Sequence, residues 1–169
     1  MNRNCKHCKI GEKTQIPGEE VSKHKQTKSN MTEFVSDIKK IAHPNKMVFD
    51  VLSDLSKLEL LKDRLPSDKI TEFTCDQDSC SFSVAPVGRV KFVVVDREPN
   101  KTIKFRSEQL PFEVNVWVQL VSKAEDDTRM KITLRADLNT FIKPMVSKPM
   151  KEGVDKISDV IASLPFDQL

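Results

Sequence analysis

The 169-residue sequence has no tyrosine, one tryptophan and three histidines. His7 and His24 fall in the first 30 residues, which leaves His43 as the one imidazole in the remainder. General acid–base catalysis draws on His, Tyr, Lys or a carboxylate with a tuned pKa inside a pocket, and this chain has few candidates. Long apolar runs are missing too. No stretch approaches the ~20 residues that a bilayer span needs, and no apolar segment follows the basic N-terminus as a secretory signal would require. Cysteine is sparse, at Cys5, Cys8, Cys75 and Cys80. That is not a dense extracellular framework, so the expectation is reduced thiols in a cytoplasmic protein.

Charge of one sign is also missing once the chain is divided. Residues 1–30 hold seven of the 28 bases and three of the 25 acids. The remainder keeps 21 bases against 22 acids, a net of −1. A near-neutral domain carries no nucleic-acid footprint. Residues 1–30 have few apolar positions and no period, the composition of a disordered basic tail. Met31 stands where patterned sequence begins, and residues 1–30 are read as a tail that need not be native sequence. Cys5-Lys6-His7-Cys8 offers half of a zinc site, but structural zinc wants four ligands in spaced pairs. Only His24 is left in the tail to help, so neither a metal nor another cofactor is expected.

What is present is a run of alternating segments from about Lys69 to Leu138, then one apolar-striped helical pattern from about Phe141 to Leu164. Before them, Phe34, Ser36 and Ile38 alternate as a first strand. Pro44-Asn45 then opens a short helix with Met47, Val48, Val51 and Leu52 at helical spacing. Ser53 or Asp54 can cap a second one carrying Leu55, Leu58 and Leu61, with Pro66 as its stop.

Facing residues of an antiparallel pair keep a constant index sum. A sum of 155 opposes Phe73 to Phe82 and Cys75 to Cys80; 174 opposes Phe82 to Phe92; 197 opposes Phe92 to Phe105 and Val94 to Ile103. Sums of 221 and 250 then carry the face through Phe105, Val116 and Leu134. One apolar face thus propagates over six strands. The opposite face carries Lys104, Arg106, Asn115, Gln119, Lys131 and Arg135, as a solvated face should. On the last helix the predicted stripe is Ile142, Val146, Met150, Gly153, Ile157, Val160/Ile161 and Leu164, with Asn139 or Thr140 as its cap.

This order resembles the START-like or Bet v 1-like superfamily, which also covers polyketide cyclase/dehydratase and lipid-transport-like proteins. The resemblance spans about Met31 to Leu164. It is carried by Ile41-Ala42-His43-Pro44, Val48-Phe49, Leu52-Ser53-Asp54, Glu98-Pro99-Asn100-Lys101, Trp117-Val118-Gln119-Leu120 and Lys148-Pro149-Met150. It implies an α+β helix-grip domain over residues 31–169. In that fold a curved antiparallel sheet of about seven strands wraps a long C-terminal helix, two short helices follow the first strand, and a cavity lies between sheet and last helix.

The functional expectation is non-catalytic binding or carriage of a small hydrophobic or amphipathic molecule, lipid-like or polyketide-like. The residues expected to line its cavity are Phe73, Phe82, Phe92, Phe105, Val116, Val118, Met145, Met150 and Gly153. A missing side chain and flexible methionines suit a variable wall. The same residues could instead close a dry core. A cyclase/dehydratase-type enzyme is the alternative, with His43 its one candidate group, although a residue beside Pro44 at a helix entrance serves equally to finish the turn. A protein-interaction module using the outer face around Trp117 is the third reading, against simple stacking under Arg and Lys stems. The partner expected is a small hydrophobic ligand, with no nucleic acid and no stable membrane insertion. The sequence names no protein partner.

Overall fold

The structure is a computed structural model and describes residues 30–65, 68 and 70–169. The basic tail with its Cys5/Cys8 motif, the Pro66 stop and the Lys69 boundary lie outside the described residues. The elements are β1 (Met31–Val35), β2 (Lys39–Ile41), α1 (Asn45–Ser53), a 3-10 segment (Leu55–Arg64), β3 (Ile70–Cys75), β4 (Ser79–Val84), β5 (Gly88–Glu98), β6 (Thr102–Glu108), β7 (Val114–Ala124), β8 (Asp127–Asp137), α2 (Lys143–Ala162) and a terminal 3-10 turn (Phe166–Gln168). The architecture is α+β: one antiparallel sheet, two short helical segments early and one long helix late. Among the described residues no helix is long and apolar enough to cross a membrane.

The sheet has eight strands rather than seven, in the order β1-β8-β7-β6-β5-β4-β3 with β2 also pairing β8. The predicted first strand breaks in two at Ser36-Asp37-Ile38. Ser36 donates its amide to the Ile132 carbonyl at 2.9 Å, while its hydroxyl oxygen accepts from the Ile132 amide at 3.0 Å. A side chain thus takes the place of one ladder carbonyl, so the chain leaves the strand without stranding a buried donor.

Registers between β6 and β7 and between β7 and β8 follow sums of 221 and 250 as expected, with Phe105 facing Val116 and Val116 facing Leu134. Cys75 faces Cys80. Two registers differ. β4 and β5 pair two residues lower, so that Phe82 faces Val90 and Cys80 faces Phe92. β5 and β6 pair two residues higher, so that Val94 faces Phe105 and Phe92 faces Ser107. At the first hairpin Val84 pairs Gly88, whose φ of +93° suits a residue with no Cβ and closes the loop more tightly than expected. Both shifts are even up to Val94, so those side chains stay on their predicted faces; beyond the Val94/Asp96 bulge β5–β6 is three residues off, and β3–β4 slips by one between Thr71 and Thr74.

The core fills the concave side at the β1–β8–β7 end. Ile41, Val48, Ile103, Val114, Met130 and Leu138 are fully buried there. In α1 the buried set is Val48, Phe49, Val51 and Leu52, so Phe49 takes the place predicted for Met47. Asp54 caps the 3-10 segment by accepting from the Ser56 amide and hydroxyl. Asn139 accepts from the amides of Phe141 and Ile142 at 3.0 and 2.9 Å in the turn before α2, whose own N-cap is Ile142, with no side-chain cap. The buried stripe of α2 is Val146, Val154, Ser158 and Ile161, and Ile157 is exposed. Val146, Ile161 and Leu164 of the predicted stripe are buried, whereas in its middle Val154 and Ser158 take the places expected for Gly153 and Ile157. A serine could enter the core because its hydroxyl donates to the Asp155 carbonyl at 2.7 Å, leaving no buried polar atom unsatisfied.

Candidate functional site: an apolar groove beside the last helix

Where α2 sits decides what the sheet leaves open. The helix packs on β1, β2 and β8. It is tied to that end by polar contacts: Lys151 donates to the Val35 carbonyl at 2.9 Å, and Asp159 pairs Lys39 at 2.5 Å. At about 100° per residue, Lys151, Asp155 and Asp159 share one flank of α2. The opposite flank carries Ile142, Pro149, Gly153 and Ile157. That apolar flank therefore turns toward the far wing of the sheet, β3 to β6. Over this wing, among the described residues, the 3-10 segment packs on β3.

The exposure pattern agrees. On the concave face, Ile103 and Val118 are buried, whereas Phe73, Phe82, Phe92, Val94, Phe105 and Val116 are only half-buried. Phe73, Phe82 and Phe92 form a stack across three strands, with ring centroids 6.3 and 6.0 Å apart. On the helix side Met150 is half-buried, and Ile157 is 39% exposed although it is apolar. A Cβ added at Gly153 would meet nothing within 4 Å. Both surfaces are apolar and incompletely covered.

Of the nine residues expected to line a cavity, Phe73, Phe82, Phe92, Phe105 and Val116 share the half-buried sheet face. Met150 and Gly153 lie on the helix, and Val118 sits in the closed core. Met145 does not join them. It is 67% exposed, because it lies about 100° around the helix from the buried Val146. Sequence reasoning missed Ile157 as a wall residue by assigning it to the core stripe; an alternative stripe through Val154 and Ser158 was the available signal.

His43 is placed by its backbone and its ring, both away from the groove. Its carbonyl accepts from the buried Thr128 hydroxyl at 2.8 Å, and its ring packs on Phe166 with centroids 5.5 Å apart. Trp117 lies on the outer face, with Lys104 Nζ and Arg135 Cζ each 5.3 Å from a ring centroid. Its surface is thus covered by cation stems, as the simpler expectation had it.

The expectation of reduced thiols is overturned for one pair. Cys75 and Cys80 are joined by a disulfide across β3 and β4. Their direct opposition at the turn brings the two Cα atoms to 4.1 Å. The sulfurs pack with Leu55, Leu58, Phe73, Val94 and Phe105, so the bridge adjoins the far end of the groove wall.

No family model and no curated protein matches the sequence. Solved structures do match its shape. Norcoclaurine synthase from Thalictrum flavum, in complex with dopamine and hydroxybenzaldehyde, superposes with a TM-score of 0.60 at 16% identity, over 83% of this chain and 90% of that one. A point mutant of that enzyme with a transition-state analogue gives 0.62 at 17% identity, over 82% and 96%. A START superfamily protein from Mycobacterium smegmatis gives 0.58 at 15% identity, over 78% and 94%. At these identities the likeness is one of fold, and the chain has the START-like, Bet v 1-like helix-grip fold.

Proposed function

We propose that this protein binds and carries a small hydrophobic or amphipathic molecule in the groove between the far wing of the sheet and the apolar flank of α2. The observation that carries the reading is the half-buried phenylalanine face opposite an apolar, partly exposed helix flank with open space at Gly153. Covering such a surface with hydrocarbon is favourable by about 25 cal/mol per Å² of apolar area removed from water. The ligand class is therefore one with a flat or flexible apolar body. Solved proteins of this fold include one that holds dopamine and hydroxybenzaldehyde, which supports small-molecule binding as the use of the groove here.

Carriage is preferred to chemistry because of what the wall is made of. The concave positions Cys80, Phe82, Val84, Val90, Phe92, Val94, Phe105 and Val116 include no carboxylate or imidazole, and His43 is engaged at Thr128 and Phe166. The test is a titration of the full chain with 1-anilinonaphthalene-8-sulfonate, combined with native mass spectrometry of protein purified from its own cell. Saturable binding of one fluorophore per chain, and a copurified small molecule that competes with it, are expected. A chain that enhances no fluorescence and carries no adduct overturns the reading.

A further inference from the structure

The start of α2 presents a surface that neither the core nor the groove uses. Phe141 is 88% exposed, the most open large apolar side chain among the described residues, and Met145 is exposed as well. The Lys143 amide donates to the Asn139 carbonyl at 3.0 Å and the Val146 amide to the Ile142 carbonyl at 3.1 Å, so the turn before α2 already winds as a helix does. Phe141, Met145 and Lys148 therefore stand in one row on the helix surface. Lys143 is also exposed. It borders a hollow of about 490 Å³ together with Asn30, Met31, Thr140 and Pro144, among others.

Charge on this surface has one sign. From Leu138 to Lys151 the chain has three lysines and no acid, with Asp137 and Glu152 as the flanking carboxylates. Lys151 is engaged by the Val35 carbonyl and by Asp155, whereas Lys143 and Lys148 have no ion pair among the described residues. Residues 1–29, with seven bases against three acids, join the chain at Asn30, and Asn30 lines the same hollow as Lys143. More positive charge is thus tethered next to the exposed apolar row.

We propose that this end of the protein docks reversibly on an anionic phospholipid surface. Phe141 and Met145 enter the boundary between headgroups and acyl chains. Lys143 and Lys148 meet the anionic headgroups, their stems lying along apolar surface and their ammonium groups staying in the polar layer. Two apolar side chains do not anchor a protein alone, and neither do two lysines; the two contributions add on one surface. Size argues against a protein partner. Two such side chains offer about 400 Å² at most, below the roughly 800 Å² that each partner of a stable protein interface buries. A fluid bilayer needs no matching shape. A carrier of apolar molecules has a use for such a surface, but the docking does not depend on the groove reading.

The test is cosedimentation of the full chain with vesicles of phosphatidylcholine alone and of phosphatidylcholine mixed with phosphatidylserine, at about 0.15 M salt and with no other ligand. Partition onto the mixed vesicles is expected to exceed that onto phosphatidylcholine at least about tenfold and to weaken as salt rises. Phe141→Ser/Met145→Ser and Lys143→Gln/Lys148→Gln are each expected to reduce it about tenfold. Both variants should keep the parent's thermal midpoint, since all four side chains are exposed. Equal partition on the two vesicle types overturns the proposal. So does equal partition of the parent and Phe141→Ser/Met145→Ser, because the bases of residues 1–29 would then carry the attraction alone. Failure to sediment with either vesicle also overturns it, and self-association that Phe141→Ser/Met145→Ser abolishes would put a second copy on this surface instead. The groove reading survives each of these outcomes, since 1-anilinonaphthalene-8-sulfonate tests it without vesicles.

Discussion

Arg97 donates two hydrogen bonds to the carbonyl of Ser53, from Nε at 3.1 Å and Nη2 at 3.0 Å. Nη2 also pairs the Asp78 carboxylate. One guanidinium therefore joins the end of α1, the β3–β4 turn and β5. A bulge makes this possible. The β5–β6 register shifts between Val94 and Asp96, so that Arg97 faces Ile103 and moves to the concave side instead of continuing the outer row. Arg97→Ala is expected to cost about 1–2 kcal/mol, below the full range for charged hydrogen bonds because the group is partly exposed. Arg97→Lys should recover only part of it, since an ammonium cannot donate in the same planar fork. Urea unfolding midpoints of the three proteins decide this; an unchanged midpoint in Arg97→Ala would show that the tie contributes nothing.

The phase of α2 gives a second test. Val154 is 3% exposed and Ile157 is 39% exposed. Val154→Ala is expected to cost about 2 kcal/mol, the scale of a buried branched side chain. Ile157→Ala should cost less than about 1 kcal/mol and weaken probe binding instead. If thermal denaturation ranks them the other way, the helix is rotated from the position described.

Much of this arrangement could be read from residue order. Strand faces came out right outside the bulges because side-chain period is 2 and the alternation of Phe82, Phe92, Phe105, Val116 and Leu134 is strong. The registers of β4–β5 and β5–β6 did not, because turn geometry at Pro86-Val87-Gly88 and Pro99-Asn100-Lys101 sets them and apolar alternation is blind to a two-residue slip. The bulges near Glu72, at φ +53°, and at Val95 leave no compositional mark. The middle of the helix stripe was missed for a different reason, although Val146, Ile161 and Leu164 were placed correctly. Ser158 looked polar and Gly153 looked small, yet the serine satisfies its own hydroxyl in the core and the glycine faces open space. Which sheet end the helix packs on was not legible either, because that packing, with Lys151–Val35 and Lys39–Asp159 at its margin, joins residues more than a hundred positions apart.

Acid should act through the β3–β4 turn. The Ser79 hydroxyl, and then the Asp78 and Ser79 amides, hold the Asp76 carboxyl below its ordinary pKa. A group with a depressed folded pKa stabilises the fold above its unfolded pKa, and that contribution disappears as pH falls through the folded value. Asp76→Asn is therefore expected to be less stable than the parent at neutral pH and to converge with it in acid. Unfolding midpoints at about pH 7 and about pH 3 measure the gap. A gap that stays constant or widens in acid would remove Asp76 as its source.

His43 separates carriage from chemistry. Its carbonyl contact to Thr128 survives truncation of the side chain, and only the ring contact with Phe166 is lost. His43→Ala should therefore cost about 1 kcal/mol of stability and leave probe affinity within about threefold, below the tenfold that 1.4 kcal/mol marks. Polyketide-like and lipid-like compounds offered to the parent protein are expected back unaltered by mass spectrometry. A turnover that vanishes in His43→Ala would put an enzyme in place of a carrier.

Gly153 offers the most direct test of the groove. It lies on the flank of α2 that faces away from Lys151 and Asp159, and a Cβ there would touch nothing within 4 Å. Gly153→Leu should therefore not clash. It also replaces a poor helix former by a good one, a gain of about 1 kcal/mol, so thermal stability is expected to hold or rise. The leucine side chain would occupy space proposed for ligand, and probe affinity is expected to fall at least about tenfold, or 1.4 kcal/mol. Retained stability with lost binding separates a filled groove from a damaged fold. Retained stability with undiminished binding would mean that the ligand sits elsewhere and that the phenylalanine face is only the open edge of a core.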